Sequence, residues 1–122
     1  VITGGLRIPA DFAKALMLGA DAVAIANSAI QAVGCLGMRA CHTNNCPVGV
    51  ASQKDHLRAR LDIEQSAKQL FNFFTASNEL LKVVARACGY DDLTGFNPDD
   101  LTTFSYDMHR LTGVSYGGVL AD

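Results

Sequence analysis

The chain has 122 residues, a formal net charge of −2, 18% charged and 49% hydrophobic residues, and a mean hydropathy of +0.17. That is slightly under one average domain of roughly 150 residues, and less charged than the roughly 25% usual for a soluble domain. The ten basic residues are spread along the chain, which excludes a nucleic-acid-binding stripe; no apolar run is long enough to span a membrane, and apolar positions recur too regularly for low-complexity disorder.

In chain order, residues 1–3 read as the end of a β-branched strand that stops at Gly4-Gly5. Pro9 suits a first helical turn, where its missing N–H does no harm. Phe12, Ala15, Leu16 and Met17 give residues 10–18 an amphipathic helix, with Gly19 in its left-handed terminal position. Residues 22–26 form a continuous apolar run, the pattern of a strand buried on both faces of a parallel sheet. Strand, helix and strand make one βαβ unit within 26 residues. Asn27 or Ser28 can cap the next helix, expected from about Ala29. Residues 35–50 read as a loop, and 53–61 as a short helix or extended arm.

Asp62 and Gln65 predict a capping box for a long helix ended by Gly89. Its apolar stripe is expected along Ile63, Ala67, Leu70, Phe71, Phe74, Asn78, Leu81, Val84, Ala85 and Cys88, and a stripe that wide must dock on something. Asn97-Pro98-Asp99-Asp100 opens another short helix, and residues 105–111 a further one closed by Gly113. Residues 116–122 read as an extended, mobile end. A domain this short should lean polar; this one leans apolar, as though part of its surface expects a partner. The sequence opens on Val1 with no charged segment ahead of an apolar core, so no secretory leader is expected and the location is read as cytoplasmic.

Three of the four cysteines fall within twelve residues, as Cys35-x5-Cys41-x4-Cys46 on a glycine-flanked loop. A tight trio in a cysteine-poor chain points to a reduced compartment and a metal centre. Thiolates hold iron–sulfur clusters, and a cubane-like cluster lacking one iron needs only three. Zinc wants a fourth ligand and usually closer spacing; His42 would have to serve, yet it adjoins Cys41. One disulfide plus a free thiol, or three small buried apolar residues, are the remaining readings. Gly4-Gly5 with Arg7, and the turn at Ala26, Asn27 and Ser28, each follow a strand, where backbone amides can cradle a phosphate; a tight turn that binds nothing is the plain alternative.

Gly4-Gly5-Leu6-Arg7, the run from Lys14 to Val23, and the block from Gly34-Cys35 through Cys41-His42-Thr43-Asn44-Asn45-Cys46-Pro47-Val48-Gly49-Val50-Ala51 together resemble the FMN-binding synthase domain of the glutamate synthase family. The similarity is close over residues 1–61 and looser along the long helix. It implies an α/β fold: the last two βα units, or C-terminal quarter, of a (β/α)8 TIM barrel, with a helical C-terminal extension. It divides the chain into 1–34 (barrel units), 35–61 (cysteine loop and arm) and 62–122 (helical extension). It implies a [3Fe-4S] cluster on Cys35, Cys41 and Cys46, and FMN phosphate at Gly4, Gly5, Arg7, Ala26, Asn27 and Ser28. Electrons from a donor such as ferredoxin or NADPH would pass through the cluster to FMN. The flavin would reduce the imine formed from 2-oxoglutarate and glutamine-derived ammonia.

The chain departs from many relatives by carrying Ala26-Asn27-Ser28 where they have a Gly-Arg or Gly-Thr pair, and Ala restricts the backbone more than Gly. The resemblance places six strands and the flavin-ring and 2-oxoglutarate contacts upstream. No residue here is therefore assigned a catalytic role, and the chain alone is expected to be inactive. It is expected to pair with the rest of the barrel, to self-associate, or to form a mostly helical assembly. A zinc-bound or metal-free interaction module, or a related FMN oxidoreductase with another substrate, are the alternatives. Arg39, between two of the cysteines, is a candidate for raising the cluster potential. His42 reads equally as a cluster neighbour or a loop residue. His56 and His109 read as solvated, Cys88 as core, Asp91-Asp92 and Asp99-Asp100 as helix-start acids, and Lys54, Arg58 and Arg60 as a solvated face.

Overall fold

The computed structural model describes residues 1–117. It is a mixed α/β chain, about half helical, with two small parallel sheets and no closed barrel among the described residues. The chain divides into two units: Val1–Ala24 with the chain from Asn78 onward, and Ile25–Ser77.

In the first unit, β1 (Ile2–Thr3) and β2 (Val23–Ala24) pair in parallel, Ile2 against Val23 and Thr3 against Ala24, with α1 (Pro9–Met17) between them in sequence. This is the expected βαβ unit. Pro9 takes the first helical turn, and the Asp11 carboxylate accepts the amide hydrogens of Arg7 (3.0 Å) and Ile8 (3.2 Å), satisfying donors the helix leaves open. Phe12, Ala13, Ala15 and Met17 are buried. Gly19 adopts φ +93°, a value that favours glycine.

The apolar run 22–26 behaves differently from expectation. Only Val23 and Ala24 are strand, and exposure alternates along the run, with Ala22, Ala24 and Ala26 exposed. Burial on both faces needs covering layers, and a two-stranded sheet lacks the neighbours to supply them.

The same unit holds a second parallel pair that the sequence did not suggest. β3 (Thr102–Thr103) pairs with β4 (Ser115–Tyr116) across α5 (Tyr106–Thr112). Ser105 Oγ accepts the Met108 amide, and Gly113 closes the helix at φ +75° as expected. Tyr116 therefore belongs to a strand rather than to a loose tail; the rest of that expected tail, 118–122, lies outside the described residues. Asn97-Pro98-Asp99-Asp100 forms a single 3₁₀ turn (Pro98–Asp100), with Asn97 Oδ1 accepting the Asp99 amide at 2.9 Å.

In the second unit, α2 (Asn27–Ala32) starts earlier than expected, at Asn27 after Ala26, with no side-chain cap. α3 is Asp55–Arg58. α4 (Ile63–Ala87), the long helix, begins in this unit, and its residues from Asn78 belong to the first. Asp62 Oδ1 accepts the Gln65 amide at 2.9 Å, half of the expected capping box; among the described residues no bond returns from the Gln65 side chain. Ser66 Oγ donates to the Val33 carbonyl at 3.0 Å, tying the start of α4 to the end of α2.

The stripe on α4 matches expectation at Leu70, which is half-buried, and from Leu81 on, where Leu81 and Ala85 are buried and Val84 and Cys88 half-buried. Before that the inward face runs Ser66, Leu70, Phe73, Ser77, while Ile63, Ala67, Phe71, Phe74 and Asn78 are exposed. No described helix is long and apolar enough to cross a membrane.

Candidate functional site

The structure brings Cys35, Cys41 and Cys46 to the wall of one small hollow, which Arg39 and Pro47 also line. All four cysteines are free thiols, so no disulfide joins any pair. Among the described residues no three His, Cys, Asp or Glu side chains converge as ligands of a single ion. His42, weighed as the fourth zinc ligand beside the trio, is exposed and does not line the hollow. Thiolates of a cluster bind different irons, so they ring a space rather than meet at a point.

The three sulfurs have different surroundings. Cys35 is half-buried, and its Sγ accepts the Gly37 amide at 3.4 Å. Cys41 is exposed, at the start of a 3₁₀ turn (Cys41–Thr43). Cys46 is buried. The backbone amide of Ala51 above all draws its thiol below the ordinary cysteine range, against burial, helped by those of Val48, Val50 and Gly49. Amide dipoles turned toward sulfur stabilise thiolate and tune a bound metal.

What holds this loop is a set of bonds made by residues that the sequence placed in or just after a loop or, for Arg60, on a solvated face. Asn44 adopts φ +60°, which Asn tolerates better than most residues, and reverses the chain after the 3₁₀ turn. Its Oδ1 accepts the Gln53 amide (2.6 Å), and its carbonyl accepts Ser52 Oγ (2.9 Å). Thr43 Oγ1 donates to the Ala40 carbonyl (2.7 Å), and Arg60 donates to the Pro47 carbonyl (3.1 Å). Gly49 has φ +83°, and a Cβ there would run into the Leu57 carbonyl. The readable signal was Thr-Asn-Asn before a cysteine, since such side chains bond nearby backbone and fix turns.

The other candidates sit on two turns that follow the carboxyl ends of adjacent parallel strands. Gly4 and Gly5 have φ +104° and +71° and are exposed, conformations that free their amides from helix and sheet. The Arg7 side chain is exposed, while its amide is taken by Asp11. After β2, Ala26 has φ −131°, so this turn uses no left-handed residue. Asn27 is exposed, and Ser28 is 5% exposed with an Oγ that has no hydrogen-bond partner. A buried hydroxyl without a partner costs free energy, which a ligand oxygen would recover.

Residues 1–91, which contain every one of these side chains, match the family described as a conserved region in glutamate synthase. The chain belongs to the glutamate synthase family. It is 40% identical over 116 residues to a ferredoxin-dependent glutamate synthase of Pyropia yezoensis, covering 93% of this chain and 7% of that protein. It is 34% identical over 134 residues to a glutamate synthase large subunit-like protein of Rhizobium meliloti, covering 97% and 30%. An archaeal glutamate synthase [NADPH] of Archaeoglobus fulgidus is 39% identical over 89 residues, covering 73% and 17%. The chain thus spans under a third of the length of these relatives. No solved structure gives a significant match.

Other polar residues of this glutamate synthase chain have structural surroundings. His109 is not solvated as expected: its Nδ1 lies 2.7 Å from the Val114 carbonyl, and its ring sits near those of Tyr106 and Tyr116. His56 is exposed. Asp92 caps a 3₁₀ turn (Leu93–Gly95), and Asp100 accepts the Asn97 amide and the Tyr90 hydroxyl (3.0 Å each). Lys54, Arg58 and Arg60 are exposed. Arg39 adopts φ +53°, unusual for a residue with a Cβ, at the wall of the cysteine hollow.

Proposed function

We propose that this chain is the cluster-bearing, FMN-phosphate part of a glutamate-synthase-like oxidoreductase. In this reading Cys35, Cys41 and Cys46 hold a [3Fe-4S] cluster. The observation that carries it is the hollow shared by all three free thiols, with the Gly37 amide donating to the Cys35 sulfur. When bound, the cluster and FMN supply electron transfer for reductive amination of 2-oxoglutarate to glutamate. The relatives named for ferredoxin and for NADPH offer two donor types.

The chain's own residues bind and position. Gly4, Gly5 and the Arg7 guanidinium after β1, and Ala26, Asn27 and Ser28 Oγ after β2, are the FMN-phosphate candidates, each turn offering donors of its own. The unpartnered Ser28 hydroxyl fits a donor role toward a phosphate oxygen. Asp11 holds the Arg7 and Ile8 amides, which leaves the glycine amides and the Arg7 side chain as the donors after β1. Residues 1–34 would complete a (β/α)8 barrel, 35–61 carry the cluster and 62–122 form the extension. The exposed faces of β1 and β2 are consistent with further strands packing there.

The test is metal and sulfide analysis of anaerobically prepared protein. Iron and labile sulfide in the three-to-four ratio of the cluster, with broad visible absorption, is expected. Serine at Cys35, Cys41 or Cys46 is expected to abolish both, and serine at Cys88 neither. One zinc per chain, or no metal after reconstitution, overturns the assignment. Flavin-dependent turnover by residues 1–122 alone would overturn the view that the activity needs the rest of the enzyme.

A further inference from the structure

Cys46 is the most enclosed of the three thiols, yet it sits on a segment without regular secondary structure. Such a segment has no ladder of backbone bonds to fix it, so something else must. The structure shows what does. Asn44, in its left-handed turn, reaches forward to the returning chain. Its Oδ1 accepts the Gln53 amide at 2.6 Å and Ser52 Oγ at 3.3 Å, and its carbonyl accepts the same hydroxyl at 2.9 Å. Ser52, 4% exposed, also accepts the Lys54 amide at 3.2 Å. Residues 44–53 are thereby closed into a ring. Within it the Gly49 amide bonds the Cys46 carbonyl at 3.2 Å.

We infer that Asn44 and Ser52 are positioning residues that clasp this ring shut and so hold Cys46 in place to ligate and retain the cluster. The inference rests on the cluster assignment above. Asn suits position 44 for two reasons at once: it tolerates the left-handed turn, and its side-chain oxygen reaches two donors. Neither residue touches the metal. Each acts through Cys46, as outer partners of metal ligands generally do.

The test uses the full native polypeptide, reconstituted anaerobically with ferrous iron and sulfide. Asn44→Ala, Asn44→Gly and Ser52→Ala are expected to lose iron to a chelator about tenfold or more faster than the parent. Asn44→Asp keeps an oxygen at the clasp and is expected to retain iron at the parental rate. Asn44→Gly keeps the left-handed turn, so its loss reports the missing oxygen rather than backbone strain. In the metal-free proteins the three disruptive variants are expected to expose Cys46 to alkylation, followed by mass spectrometry. Cys41, already exposed, is expected to stay as it was. Parental iron retention, or parental protection of Cys46, in both Asn44→Gly and Ser52→Ala overturns the clasp and leaves the cluster assignment standing. Failure of the parent to take up iron and sulfide overturns the cluster assignment itself, and the clasp's role in retention falls with it.

Discussion

At the scale of single residues, carboxylates fix the ends of short elements, and their ionisation can be read out. Asp11 accepts the amides of Arg7, its largest influence, and Ile8; these, with Lys14, hold its carboxyl below the ordinary range despite some desolvation. A carboxyl lowered on folding stabilises the native state fully above its unfolded value of about 3.9, and that contribution is lost as pH falls through the lower folded value. Asp11→Asn removes the charge at every pH. The protection of the α1 amides against hydrogen exchange should therefore differ between parent and variant near neutrality, and the difference should close below about pH 4. A difference that persists unchanged into acid would show that the charge is not what fixes the helix start. Asp11 follows Pro9 near a helix start, so its general role was legible in the sequence. The clasp at Asn44 was less so, because its partners Ser52 and Gln53 lie eight and nine residues away, and only the fold brings them back.

At the scale of elements, legibility followed periodicity and failed where a polar residue sat on a buried face. On α4 the apolar residues suggest a stripe through Phe71 and Phe74, yet the inward face passes through Ser66, Phe73 and Ser77. Ser66 can be turned inward because the Val33 carbonyl takes its hydroxyl, a tertiary bond that periodicity does not register. The α1 helix and the parallel pairing of β1 with β2 were readable from glycine and proline punctuation. The pairing of β3 with β4 was not, since two-residue strands carry too little alternation to signal themselves. The face assignment on α4 has a direct consequence. Leu81→Ala in the isolated chain should cost about 2–5 kcal/mol, from lost burial plus a cavity. Phe71→Ala, at 68% exposure, should stay within about 0.5 kcal/mol. Urea denaturation of both variants measures this, and a larger loss from Phe71→Ala would reverse the assignment.

At the scale of the whole molecule, large apolar side chains are left facing water. Among the described residues no large side chain is fully buried, while Phe104 is 86% exposed, Leu111 81%, Ile63 74% and Phe71 68%. An apolar composition with this little burial leaves hydrophobic area that only another protein surface can remove from water. Residues 1–122 prepared alone should therefore elute above 13.0 kDa in size-exclusion chromatography at micromolar concentration and bind a hydrophobic dye. Phe71→Ser with Phe104→Ser should reduce both effects without loss of helix, because these rings cover nothing in the folded chain. A sharp monomer peak with no dye binding would mean that the apolar faces are already satisfied. The exposed rings would then give no physical reason to expect a partner surface on this chain.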